Sequence, residues 1–76
     1  MKVLYFAWLR ERLDRASEEI DPPASVRTVA DLIGWIGERD ETAALALAKP
    51  SVIKAALDDR IVPHDAPLGR ARTVAL

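Results

Sequence analysis

The stretch TVADLIGWI, residues 28–36, decides how the rest of the chain is read. Thr28 and Asp31 stand at the Ser/Thr-x-x-Asp/Glu spacing of a capping box, in which a hydroxyl and a carboxylate satisfy free amides at the start of a helix. Behind them Val29, Leu32, Ile33 and Ile36 recur at i, i+3, i+4 and i+7, the stripe that one helix face presents to a core. The spacing predicts the principal helix here. Gly34 and Gly37 lie inside it, each costing up to ~1 kcal/mol relative to alanine unless a close neighbour needs the space. Trp35 falls at the rim of the stripe, where packing is its simplest role. A second Ala/Leu-rich stretch, Glu41 to Ala48, adds a turn or two of helix before Pro50 stops it.

Working back toward the N-terminus, KVLYFAW (residues 2–8) carries the β-branched and aromatic residues of a strand. Its apolar residues fall on both faces: Val3, Tyr5 and Ala7 on one, Leu4, Phe6 and Trp8 on the other. Such a strand is central, or has a partner. Leu9 and Leu13 are then one helical step apart, with Glu11 spaced to pair with Arg15, so a short amphipathic helix is expected as a connector. SEEID, ending at Asp21, reads as a polar edge strand that Pro22-Pro23 terminates.

Beyond Ser51 the period changes to two. VIKAAL and RIV flank Asp58-Asp59, which predicts a hairpin with a two-residue acidic turn. PHDAPLG is loop, punctuated by Pro63, Pro67 and Gly69, and RARTVAL is the last strand. The order is strand, connector, strand, long helix, short helix, strand, strand, strand. The fold class is therefore α+β: one domain over residues 1–76, a small mixed sheet with one principal helix packed on one face.

Composition narrows the function. Half of the 76 residues are hydrophobic and the formal charge is −1, which argues against a disordered segment and against a polyelectrolyte built for nucleic acid. There is no cysteine, so disulfides, thiolate metal sites and cysteine nucleophiles are excluded together. No apolar run approaches the ~18 residues of a membrane span, and Arg10, Glu11 and Arg12 follow the first apolar run without a small-residue cleavage site. A cytoplasmic protein, with no membrane association, is expected. His64 is the only histidine, and one imidazole beside Asp65 makes no zinc shell. Asp58 and Asp59 are read as turn residues that satisfy backbone donors rather than as a catalytic carboxylate pair. Trp8 is read as packing, and Lys49 and Lys54 as solvated. No nucleophile, metal shell or cofactor loop is present, so no catalytic residue and no cofactor are assigned.

KVLYFAWLRE, TVADLIGWI and LALAKPSVIKAALDDRIVPHDAPL, leading into a final VAL, together resemble the molybdopterin synthase small subunit family across essentially the whole chain. That resemblance implies a ubiquitin-like β-grasp sulfur carrier. In that family the last strand runs on to a C-terminal Gly-Gly, whose carboxylate is adenylated by an E1-like activating enzyme and becomes a thiocarboxylate. The large synthase subunit then receives the sulfur and passes it to a pyranopterin precursor in molybdenum cofactor biosynthesis. Here the family Gly-Gly lies beyond Leu76, and a chain ending at Leu76 would keep only a docking role. The segment Gly69-Arg70-Ala71-Arg72-Thr73 also replaces the acidic turn usual in the family. Residues 49–76 carry five basic and three acidic groups, against six and nine in residues 1–48, an asymmetry too small for a polyanion site.

By the resemblance, Phe6 and Ile61 lie on the exposed sheet face that meets the activating enzyme and the large subunit, with Arg10 as a polar contact and Leu76 completing the interface. From the residues alone, Phe6 and Ile61 suit a core as well as a face. A sheet with one principal helix favours the face, because its second side needs a partner or stays wet. A ubiquitin-like binding module without chemistry and a sulfur carrier for thiamine or another pathway are the alternatives.

Overall fold

Thr28 Oγ1 accepts from the Asp31 amide at 3.1 Å, and the Asp31 carboxylate accepts from the amides of Thr28 and Arg27 at 3.3 and 3.1 Å. This closes the capping box and starts α2 (Val29–Arg39). The computed structural model describes residues 1–76. In chain order it holds β1 (Lys2–Leu4), α1 (Ala7–Leu13), β2 (Ser17–Glu19), α2, α3 (Glu41–Ala46), a 3₁₀ turn over Pro50–Val52, β3 (Ala55–Leu57), β4 (Arg60–Val62) and β5 (Thr73–Ala75).

The stripe Val29, Leu32, Ile33 and Ile36 is buried. It meets Val3 and Tyr5 from the first strand segment, Val74 and Leu76 from the last, and Leu9 and Leu13 of α1 in a single core cluster. Burying each of the large members contributes about 1.5–3 kcal/mol relative to leaving it exposed. Asp40 caps α3 by accepting from Thr42 N at 2.9 Å, and Ala43, Ala46 and Leu47 close the core from that side. A charged cluster ties the periphery together. Arg15 lies 2.6 Å from Glu18 and 3.0 Å from Asp40, Arg39 lies 3.1 Å from Glu18, and the Arg39 guanidinium stacks 4.7 Å from the Trp35 ring centroid.

The five strands form one mixed sheet in the order β2-β1-β5-β3-β4. β1 and β5 pair in parallel at its centre, with Val3 opposite Val74; every other pairing is antiparallel. A mixed sheet with its first and last strands parallel at the centre and one main helix laid across it is a ubiquitin-like β-grasp.

Four local expectations are corrected. β1 ends at Leu4, and the helix takes over because the Phe6 carbonyl accepts from Leu9 N and Arg10 N. Ala7, in the left-handed region at φ 44°, makes the bend and belongs to α1 rather than to a strand face. Arg15 bonds Glu18 and Asp40 instead of Glu11, since the left-handed Asp14 ends the helix before the i,i+4 spacing is completed. α3 stops at Ala46, and Pro50–Val52 form a 3₁₀ turn, so the strand expected after Ser51 begins at Ala55. Neither glycine of α2 is required by a close neighbour: an added Cβ at Gly37 would lie 3.5 Å from Ala44 Cα, an ordinary contact, and at Gly34 nothing lies within 4 Å.

Candidate functional site: the open sheet face and the end of the last strand

Register fixes what the helix leaves uncovered. Ser17 stands opposite Leu4, Leu4 opposite Ala75, Ala75 opposite Ala56 and Ala56 opposite Ile61, one row across all five strands. The neighbouring residues Val3 and Val74 are fully buried in the core. Because side chains alternate between faces, the row from Leu4 to Ile61 lies on the side away from α2. Leu4 and Ala56 are half-buried and Ala75 is buried between them, while Ile61 at the edge is 82% exposed. Phe6, two residues beyond Leu4 and so on the same side, is 56% exposed. Arg10 follows one helical turn later and is exposed. The structure therefore brings Phe6, Arg10 and Ile61 to the surface.

Leu76 does not join them as an exposed contact. Its side chain is only 4% exposed and belongs to the core cluster, because its amide donates to Leu4 O and its carbonyl accepts from Phe6 N, prolonging the β5–β1 pairing by one residue. Trp8, read from sequence as packing, is instead 41% exposed. Sequence reasoning also passed over Val52, which is 58% exposed on the 3₁₀ turn. With Phe6, Ala7, Leu9, Ile53 and Lys54, these three residues line a groove of about 260 Å³ at the end of β5. A run of apolar residues on either side of a turn signal was the available clue.

The hairpin turn is tied to the same strand. Asp58 and Asp59 both have positive φ, 46° and 72°, as a two-residue type I′ turn requires. The Asp58 carboxylate accepts from Arg72 N and Thr73 N, each at 3.1 Å, and Asp58 N donates to Thr73 O at 3.0 Å. His64 bonds the Ile53 carbonyl through Nε2 at 2.6 Å, so Nε2 carries the proton and the ring secures a loop. The carbonyls of His64 and Ala66 accept from Ala30 N and Val29 N, occupying the amides at the start of α2. No group of three or more His, Cys, Asp or Glu is gathered to hold a metal ion. A larger hollow of about 410 Å³ between α2 and α3 is lined by small and aliphatic residues, with Glu38 as its single charged group.

On the side of the sheet away from α2, Phe6 and Ile61 are thus exposed and Leu4 and Ala56 half-buried. Compared with protein-family models, residues 3–76 match the ThiS family. The chain belongs to the ThiS family. It is thus a ubiquitin-like sulfur carrier in its general role, and ThiS-family carriers work with a synthase subunit and an E1-like activating enzyme. No curated protein matches the chain. No helix is long and apolar enough to cross a membrane.

Proposed function

We propose that this ThiS-family chain is the sulfur-carrying small subunit of a molybdopterin synthase. In this reading it donates sulfur from a glycine thiocarboxylate, carried beyond Leu76, to the pyranopterin precursor of the molybdenum cofactor. It is not catalytic alone, and it requires no cofactor. The observation that carries the carrier reading is the uncovered row from Leu4 to Ile61, with Phe6 beside it, alongside the central strand that leads toward the reactive end. A partner seated on that row meets the terminal strand at once, whereas the core face is closed by α2.

The physical logic of a carrier agrees. One reactive atom must reach two enzymes, so it is best placed on an extended arm, where each residue adds about 3.3 Å of reach. Phe6, Ile61 and Arg10 then form the docking surface for the large subunit and the activating enzyme. The assignment to molybdopterin rather than thiamine rests on the ordered likeness of LALAKPSVIKAALDDRIVPHDAPL and the two segments before it.

Co-expression of the full natural chain with an activating enzyme tests the carrier step by intact mass, the expected change being one oxygen replaced by sulfur. Capture of a large synthase subunit, and restoration of molybdopterin formation in a mixture of purified components, tests the pathway. A chain that accepts sulfur yet supports only thiamine synthesis would sink the molybdopterin assignment while leaving the carrier role intact.

A further inference from the structure

Five residues of this protein hold a left-handed backbone: Ala7, Asp14, Asp58, Asp59 and Gly69. Glycine meets no steric penalty there, and aspartate is among the few side chains that visit the region readily. Ala7, at φ 44°, is the exception. Its methyl group lies outside the core cluster, so burial does not offset the strain.

What keeps the bend is the chain on either side of it. Before it, Tyr5 N donates to Ala16 O at 2.8 Å and Phe6 N donates to Leu76 O at 2.9 Å, fixing the strand end. After it, the Phe6 carbonyl accepts from Leu9 N at 3.0 Å and from Arg10 N at 3.4 Å. Tyr5 and Leu9, each 2% exposed, anchor the two sides in the core. Between these anchors the chain passes from strand to helix at one residue, and that residue sets the direction of Phe6 against that of Arg10. A backbone outlier persists only where its surroundings over-determine it, and such outliers gather at binding sites, where a preset geometry lowers the ordering cost of association.

We propose that Ala7 is a positioning residue of the docking surface, its left-handed backbone holding Phe6 and Arg10 at the separation and angle that the large synthase subunit meets. The inference rests on the docking role given above to Phe6 and Arg10, and adds the residue that aims them. Backbone conformation at position 7, rather than the methyl group, is what the partner reads.

Two substitutions separate backbone from side chain. Ala7→Asn enlarges the side chain but suits the left-handed region, whereas Ala7→Val is apolar and β-branched and resists it. In the full natural chain, labelled with nitrogen-15, residual dipolar couplings report the angle between the Phe6 N–H vector and α1. That angle is expected to persist in Ala7→Asn and to change in Ala7→Val, with the Val3 and Val74 amides unmoved in both. Affinity for the large synthase subunit, read by surface plasmon resonance, is expected to stay within about twofold for Ala7→Asn and to drop about tenfold for Ala7→Val. An unchanged angle in Ala7→Val overturns the proposal, as does a folded Ala7→Val that binds like the parent. Equal losses for the two variants overturn it as well, since the methyl group itself is then the contact. Should Ala7→Val not fold, Ala7→Asn decides alone, and an about tenfold loss with the angle intact counts against the proposal. Ile61→Asp separates the two readings. A parent that binds and weakens with Ile61→Asp, beside an unaffected Ala7→Val, overturns the positioning role alone; a parent that does not bind the large subunit removes the docking reading and the proposal with it.

Discussion

The Asp58 carboxylate accepts from the Thr73 amide at 3.1 Å, and the Thr73 carbonyl in turn accepts from the Asp58 N–H at 3.0 Å. The hairpin turn thus holds the start of the terminal strand. Removing the carboxylate leaves the Arg72 and Thr73 amides to water, and bonds to a charged acceptor are worth about 1.5–3 kcal/mol when sheltered. At this exposed turn Asp58→Ala is expected to cost about 1–2 kcal/mol, read by urea denaturation. Asp58→Asn, which keeps one acceptor oxygen and tolerates positive φ, should cost roughly half as much.

Asp59 sits at φ 72° in the second turn position, where glycine meets no steric penalty. Asp59→Gly creates the favoured Asp-Gly type I′ sequence and is expected to stabilise by about 0.5 kcal/mol. In a domain of this size that raises Tm by roughly 2–4 °C. A lower Tm would show that the added freedom of the unfolded chain outweighs the relieved turn.

Gly34 is an exposed interior residue of α2, and no atom lies within 4 Å of the place a methyl group would take there. Gly34→Ala should therefore add about 0.4–1 kcal/mol. Gly37→Ala brings its methyl to 3.5 Å from Ala44 Cα, an ordinary contact, and should gain no more than Gly34→Ala does. Thermal unfolding of the two variants side by side decides the order.

Stability is expected to fall at both ends of the pH scale. The bond from Arg15 holds Asp40 below the usual carboxylate range, and the Arg27 amide, with Thr28, does the same for Asp31. A depressed folded pKa gives stability that is present above the unfolded value of about 4 and lost as pH drops through the folded one. Burial, and then Glu18, push Tyr5 up. Its contribution is complete below the unfolded value of about 10 and is lost as pH rises through the folded one. Asp40→Asn should make the acid limb shallower, and Tyr5→Phe the alkaline limb. Tm measured from about pH 2 to 12 checks both.

Ile61→Asp should leave the unfolding free energy within about 0.5 kcal/mol of the parent, because an edge residue 82% exposed adds little to the core. If it anchors the partner surface, affinity for the synthase subunit should drop about 30-fold, equivalent to ~2 kcal/mol. Leu45→Asp on α3, at 76% exposed, lies away from that surface and should bind normally. Equal losses for the two variants would refute the assignment of the sheet face; surface plasmon resonance provides the comparison.

The helix was legible because its signals are local: a cap three residues from its partner and a stripe at helical spacing. The hairpin was legible for the same reason, with Asp58-Asp59 between two short strands. What could not be read were features decided by distant neighbours. Phe6 and Trp8 have strand-like chemistry, but the bend at Ala7 sends them into a groove completed by Val52, more than forty positions on. Leu76 looks like an interface residue beside Phe6, yet parallel pairing with β1 directs its side chain into the core. Arg15 matched Glu11 by spacing, and the left-handed Asp14 turned it toward Asp40.

The parallel partnership of β1 and β5 at the middle of the sheet joins the domain's first strand to its last. During translation β1 stays without its central neighbour until Thr73–Ala75 have left the ribosome, so this domain cannot assemble vector-fashion from its N-terminal side. Its core closes only when the last strand arrives, and until then Val3 and Tyr5 lack the cover that Val74 and Leu76 give them.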